Sequence, residues 1–409
     1  MTRDYSSRGL SRARYLIAGQ TANHLAPFRS ASAVRSGHLP SGLSTLRDLD
    51  FMDPANPFFV TDRALHSAGQ YIGRVSPPPT GTFSKRPGNV ILCDSGGLQF
   101  GRDPKLWLGD PSRAWVLNFL EANADEAISL DVPTRVITPG APPFDSFNTA
   151  LSETIASNAY FAANRSANMR LLSVLQGETL GEGLAWYEGV KAQPFEGWAF
   201  GGVMRLNYLY IAWMVQRLIA DGLLGPERNR LHFLGVSSLG HAVVLSALQI
   251  ALRRHLHDNE LLITFDTSSP SKMAMVGKMY GYADLSPTSF AMSAFTPPSS
   301  HVHAGWPMRF PVKSSRISEV VNLNDLCDPA WTRQHGWDEL GHAIATHHNL
   351  ESLLRGIDEA NSVMELPSAW AAHHAPEHVI RAYRAIKTMF DHPNPFAHVR
   401  RFKADFDKL

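Results

Sequence analysis

Residues 90–97 read Val90-Ile91-Leu92-Cys93-Asp94-Ser95-Gly96-Gly97. The first four are apolar and β-prone, and the run stops at a carboxylate with two glycines close behind. An aspartate at the carboxyl end of a buried strand is costly unless it is paired or solvated. The glycines let a backbone or a flat ligand come close. Later β-prone runs end in the same manner, at Asp131, Gln176, Gly201-Gly202 and Asp266.

Eight such runs span residues 14–18, 58–61, 90–93, 127–130, 171–175, 197–200, 231–234 and 261–265. Most are continuously apolar, as in strands buried on both faces. Helical patterns separate the later ones, at 112–124 (capped by Asp110-Pro111), 146–168, 180–191, 206–221, 239–257 and 271–280. Alternating strands and helices with eight strands predict a (β/α)₈ barrel over residues 1–294. A doubly wound open sheet is the alternative, but it favours a glycine-rich phosphate loop after its first strand, and none stands there. Residues 295–409 leave the alternation. They read as a small C-terminal subdomain, irregular over 295–335 and helical over 337–365 and 377–390.

The 409 residues carry a formal charge of +1 and are 44% hydrophobic, enough for a large core. So balanced a chain has no global basic field for nucleic acid, and any such partner must be met by a local patch. Two cysteines, Cys93 and Cys327, exclude a disulfide scaffold and fit a reducing compartment. No stretch approaches the ~18 apolar residues of a membrane span. The N-terminus lacks the apolar core of a signal peptide, so the expectation is a cytoplasmic protein with no membrane partner.

In a (β/α)₈ barrel the active site is built at the carboxyl ends of the strands. Asp94, Asp131, Gln176, Gly201, Gly202, Gly235 and Asp266 then face one mouth. Carboxylates accept from N–H groups, an amide both donates and accepts, and glycine backbone can hold a carbonyl. The set suits a flat, donor-rich heterocycle such as guanine. The plain alternative is that each aspartate caps a helix or closes a turn.

At this point the chain resembles a family. Asp94-Ser95-Gly96-Gly97-Leu98-Gln99 is similar to the Asp-Ser-Gly-Gly-Phe-Gln signature of tRNA-guanine transglycosylases. Further resemblances follow in order: Ser129-Leu130-Asp131, Val174-Leu175-Gln176-Gly177, Ala199-Phe200-Gly201-Gly202, Leu234-Gly235-Val236, Thr264-Phe265-Asp266 with Pro270, and Thr346-His347-His348-Asn349-Leu350. The resemblance implies a base exchange. Asp266 would attack the anomeric carbon of a flipped-out guanosine and form a covalent sugar–enzyme intermediate, with Asp94 as general acid/base. Ser95, Asp131, Gln176, Gly201, Gly202 and Val203 would hold the base.

The departures are informative. Leu98 stands where the family has an aromatic, Val203 where it usually has leucine, and Thr267-Ser268-Ser269 lack the family's arginines. The family's zinc cluster of three cysteines and a histidine has no counterpart here. His301, His303, Cys327 and His348 form the candidate replacement, a chemically reasonable Zn²⁺ set, with His342, His347 and Asp328 as alternatives. Arg205, Lys272 and Lys278 are candidate phosphate contacts, as are Arg309, Lys313 and Arg316. With the tRNA enzymes' N-terminal and zinc patterns missing, the likeness favours the divergent DNA branch, which exchanges guanine for 7-cyano-7-deazaguanine. That branch implies a partner that opens DNA, such as an ATPase. A divergent tRNA enzyme is the next reading. A silent barrel that binds deazaguanine or nucleic acid, and a metal-dependent barrel hydrolase, are the others.

Overall fold

The computed structural model describes residues 2–409 apart from 7–10, 19–38, 40–41, 45, 73–86, 141–143, 167, 194, 298–307, 327–336 and 338. Eight parallel strands close into a barrel: β1 (Arg14–Ala18), β2 (Arg63–Ser67), β3 (Val90–Asp94), β4 (Glu126–Ile128), β5 (Arg170–Leu175), β6 (Gly197–Phe200), β7 (Arg230–Phe233) and β8 (Leu262–Thr267). Each strand pairs with its neighbours in chain order, and β8 closes the ring on β1. The expected barrel is therefore present.

Side chains alternate across a strand, so one parity faces inward. Leu16, Leu65, Leu92, Ile128, Leu172, Val174 and Ala199 fill the barrel interior. The opposite parity packs under the surrounding helices in one large core that includes Trp186, Trp198, Phe200 and Phe233. Inward parity, continued to the carboxyl ends, reaches Ser67, Asp94, Gln176, Gly201 and Asp266. These endings thus line one end of the barrel, while Asp131 lies on the loop beyond β4.

The helices α1 (Gly97–Arg102), α2 (Asp110–Asn123), α3 (Phe147–Asn164), α4 (Leu180–Val190), α5 (Tyr208–Ala220), α6 (Leu239–Leu256) and α7 (Ser269–Met275) follow strands β3 to β8. Pro111 sits in the first turn of α2, and Ser146 with Thr149 forms a capping box on α3.

Two expectations are corrected. The second barrel strand is not 58–61 but β2. Phe59–Val60 instead pairs with Arg3–Asp4 in a separate two-stranded sheet. The helix expected over 271–280 ends at Met275, because Gly277 turns the chain at φ 70°. A hairpin then follows, β9 (Met279–Ser286) and β10 (Ser289–Phe295), which periodicity had not singled out.

Beyond the hairpin, α8 (Glu339–Glu365) packs beside α6 and α7. The helix α9 (Glu377–Lys387) lies on α6, and Phe406 stacks on Tyr208 at the start of α5, with ring centroids 4.9 Å apart. The C-terminal helices thus extend the barrel's outer layer. Among the described residues no helix is long and apolar enough to cross a membrane.

Candidate active site

The strand register sets Asp94 and Ser67 opposite each other on β3 and β2. Ser67 Oγ accepts from the Gly69 amide at 3.2 Å and donates to Asp94 Oδ2 at 3.1 Å. Burial pushes the Asp94 carboxyl above the usual carboxylate range. The Ser67 hydrogen bond opposes this, and the negative charge of Asp266 adds to it. Asp94 is thus suited to carry a proton.

Two glycines explain the chain after Asp94. Gly96 has a left-handed φ of 80°, and a Cβ there would lie 2.4 Å from the Gly69 nitrogen. A Cβ on Gly97 would lie 2.0 Å from the Asp131 carbonyl oxygen. Neither position admits a side chain, so the loop after β3 lies directly on the loop that carries Asp131. Ser95 is fully buried, and its Oγ donates to the Ser129 carbonyl at 3.1 Å. It ties the same two loops together rather than facing the mouth.

Asp131 is buried, and that burial, with Asp94 nearby, pushes its carboxyl up to about 7. Gln176 donates from Nε2 to Asp131 Oδ2 at 2.9 Å and to the Val132 carbonyl at 3.0 Å, and its Oε1 accepts from the Thr134 amide at 3.0 Å. Both N–H groups are used inside the protein, so Gln176 orients Asp131 and has no donor left for a base. Beside it, Gly202 has φ 60°, and its carbonyl accepts from Arg205. Val203 follows at the rim and is 53% exposed.

Asp266 stands at the end of β8. Its Oδ1 accepts from the Gly235 amide at 3.0 Å and lies 3.3 Å from His232 Nε2. Gly235 itself has φ 70°. A Cβ there would meet the Arg205 guanidinium at 3.6 Å, which sets Arg205 over the loop that holds Asp266. Arg135, just beyond Asp131, interacts electrostatically with both Asp131 and Arg205. Among the described residues the mouth therefore holds three carboxylates and two guanidinium groups.

The structure brings together Asp94, Asp131, Gln176, Gly202, Asp266 and Arg205, with Gly201 one residue before Gly202. Lys272 and Lys278 are exposed just past β8, on and after α7. Ser67, Arg135 and His232 were not singled out in the sequence. Ser67 was hidden by the misplaced second strand. His232 carried a usable signal, a polar residue of inward parity in an otherwise apolar run.

For zinc, His301, His303, Cys327 and Asp328 lie outside the described residues. His348 is fully buried in α8; its Nδ1 is 2.6 Å from Ser315 Oγ and its Nε2 is 2.8 Å from the Tyr280 carbonyl. Burial pushes the imidazole down to about 4, so it is neutral, with Nε2–H donating and Nδ1 accepting. In this arrangement neither ring nitrogen is open to a metal. Among the described residues no group of three metal-ligating side chains occurs.

A scan against protein-family models gives no match, and neither does a search of curated proteins.

Proposed function

We propose that the protein is a nucleic-acid guanine transglycosylase. In this reading it exchanges guanine in DNA for a 7-deazaguanine base, 7-cyano-7-deazaguanine in the first instance, through an aspartyl–sugar intermediate. The observation that carries it is the pair of carboxyl groups across the barrel mouth. Asp94 is buried and its carboxyl is pushed above the usual carboxylate range, while Asp266 accepts two hydrogen bonds on one oxygen. Environments that set two carboxyl groups to different tasks are the mark of acid and nucleophile.

In the first half-reaction an oxygen of Asp266 bonds to C1′ as the glycosidic bond breaks, and the Asp94 carboxyl gives its proton to the departing guanine. In the second, the incoming base returns a proton to Asp94, its nitrogen bonds to C1′, and the ester to Asp266 breaks. Atoms and charges balance over the two steps, and no cofactor enters them. Asp131 and the Gly201-Gly202 backbone are the groups offered to the base edge. Arg205 and Arg135, with Lys272 and Lys278 farther out, are offered to phosphates.

The test is Asp266→Asn. The variant should incorporate no labelled base and form no covalent protein–nucleic acid adduct on a denaturing gel. Full activity in this variant removes the assignment. Zinc at His301, His303, Cys327 and His348 remains a separate proposal, and it requires His348 to give up a hydrogen bond. Elemental analysis decides it, since a folded, zinc-free protein ends it. Exchange confined to tRNA would favour the tRNA branch of the resemblance.

A further inference from the structure

We infer that His232 is the positioning residue for Asp266, holding Oδ1 so that Oδ2 is the oxygen presented to the sugar. The inference rests on the reading of Asp266 as nucleophile.

His232 lies in β7 level with Thr264 of β8, one layer below Asp266, and it is fully buried. Leu16, Leu65, Leu92, Ile128, Leu172, Val174 and Ala199 make much of that interior aliphatic. An imidazole among such neighbours is costly unless both nitrogens find partners. Both do. Nδ1 is 2.8 Å from Thr264 Oγ1, and Nε2 is 3.3 Å from Asp266 Oδ1. A satisfied core histidine would need no more than this.

The asymmetry at Asp266 goes further. The Gly235 amide and the imidazole both reach Oδ1, from the loop after β7 and from inside the barrel. Among the described residues no donor reaches Oδ2. Two donors on one oxygen fix the plane of the carboxylate and leave the other oxygen's lone pairs unengaged. Thr264 completes the chain. Its hydroxyl lies 3.4 Å from the Leu231 carbonyl, so it can donate there while accepting from Nδ1–H, or turn its proton to an unprotonated Nδ1. The imidazole can therefore keep Nε2–H toward Asp266 in either protonation state. Among the described residues the other charged or titratable groups that act on this corner are Asp94, Tyr15 and Arg205.

The experiment has two arms. In the first, His232→Leu and His232→Gln are compared with wild type in base exchange. Loss of an orienting contact should lower kcat about 10- to 100-fold, with KM for base and nucleic acid nearly unchanged. His232→Gln, which keeps an amide donor, should recover a substantial part. Unaltered kcat in His232→Leu overturns the inference, as does a loss that appears in KM alone. In the second arm, the His232 Nε2–H resonance is followed by NMR in wild type and Asp266→Asn, assigned by its absence from His232→Gln. A shift of that resonance supports the pair. An unshifted resonance overturns it whatever the turnover. A shifted resonance in a protein that exchanges no base would leave the pair standing and remove the transglycosylase reading instead.

Discussion

Asp131 shows how one residue's surroundings can outweigh its type. Gln176 offers it a hydrogen bond, yet burial and the nearby Asp94 hold its carboxyl at about 7. The folded chain thus keeps a proton that an unfolded chain releases from about pH 4 upward. The group favours folding fully below that value, and its contribution fades as pH rises through about 7. Asp131→Asn removes the titration. Its melting temperature relative to wild type should therefore rise steadily between pH 4 and pH 8. A difference that does not vary with pH would show that Asp131 ionises normally. The position of Asp131 was legible because a carboxylate at a strand end is conspicuous in sequence. The task of Gln176 was not, since its type fits a base contact and an internal brace equally well, and only its three partners separate the two.

At the scale of elements, the segment Thr346-His347-His348-Asn349-Leu350 takes on a structural role. It lies inside α8 and fastens the start of the hairpin and the turn after β8. The Asn349 side chain accepts from the Tyr280 amide at 2.7 Å and donates to the carbonyls of Pro270 and Lys278 at 3.0 and 3.2 Å. His348 adds its bond to the Tyr280 carbonyl, and His347 packs against Phe59 at 4.7 Å between ring centroids. Asn349→Ala would remove the partner of two buried backbone groups and one part-buried one, at a cost of about 3 kcal/mol. Urea denaturation measures this, and a change below about 1 kcal/mol would refute the fastening role. The second strand was misread for a physical reason. Phe-Phe-Val outranks Arg-Ala-Leu-His-Ser in β propensity, but strand propensity yields to the pairing a closed ring requires. The inward Leu65 and Ser67 matter there, and local composition does not display them.

For the whole molecule, the two ends of the barrel divide the work. At the amino-terminal end Glu126 is buried with Arg230 at 3.0 Å, Arg63 at 3.7 Å and Arg170 at 3.8 Å. That end serves stability, whereas the proposed chemistry belongs to the opposite end. Glu126→Gln leaves three guanidinium groups without their common anion. It should cost about 3 kcal/mol in thermal or urea unfolding while kcat at a permissive temperature stays near wild type. An equal loss of kcat with intact stability would contradict this division. The barrel was legible because continuous apolar runs recur between helices, and the mouth was legible because their endings repeat. The proposed substrate is read directly by incorporation of a labelled base. Labelled 7-cyano-7-deazaguanine is incubated with the protein and either single-stranded DNA, which needs no opening partner, or tRNA. Wild type should incorporate the label into DNA, and Asp266→Asn should not; no incorporation into DNA by wild type, or equal incorporation by the variant, would contradict the account.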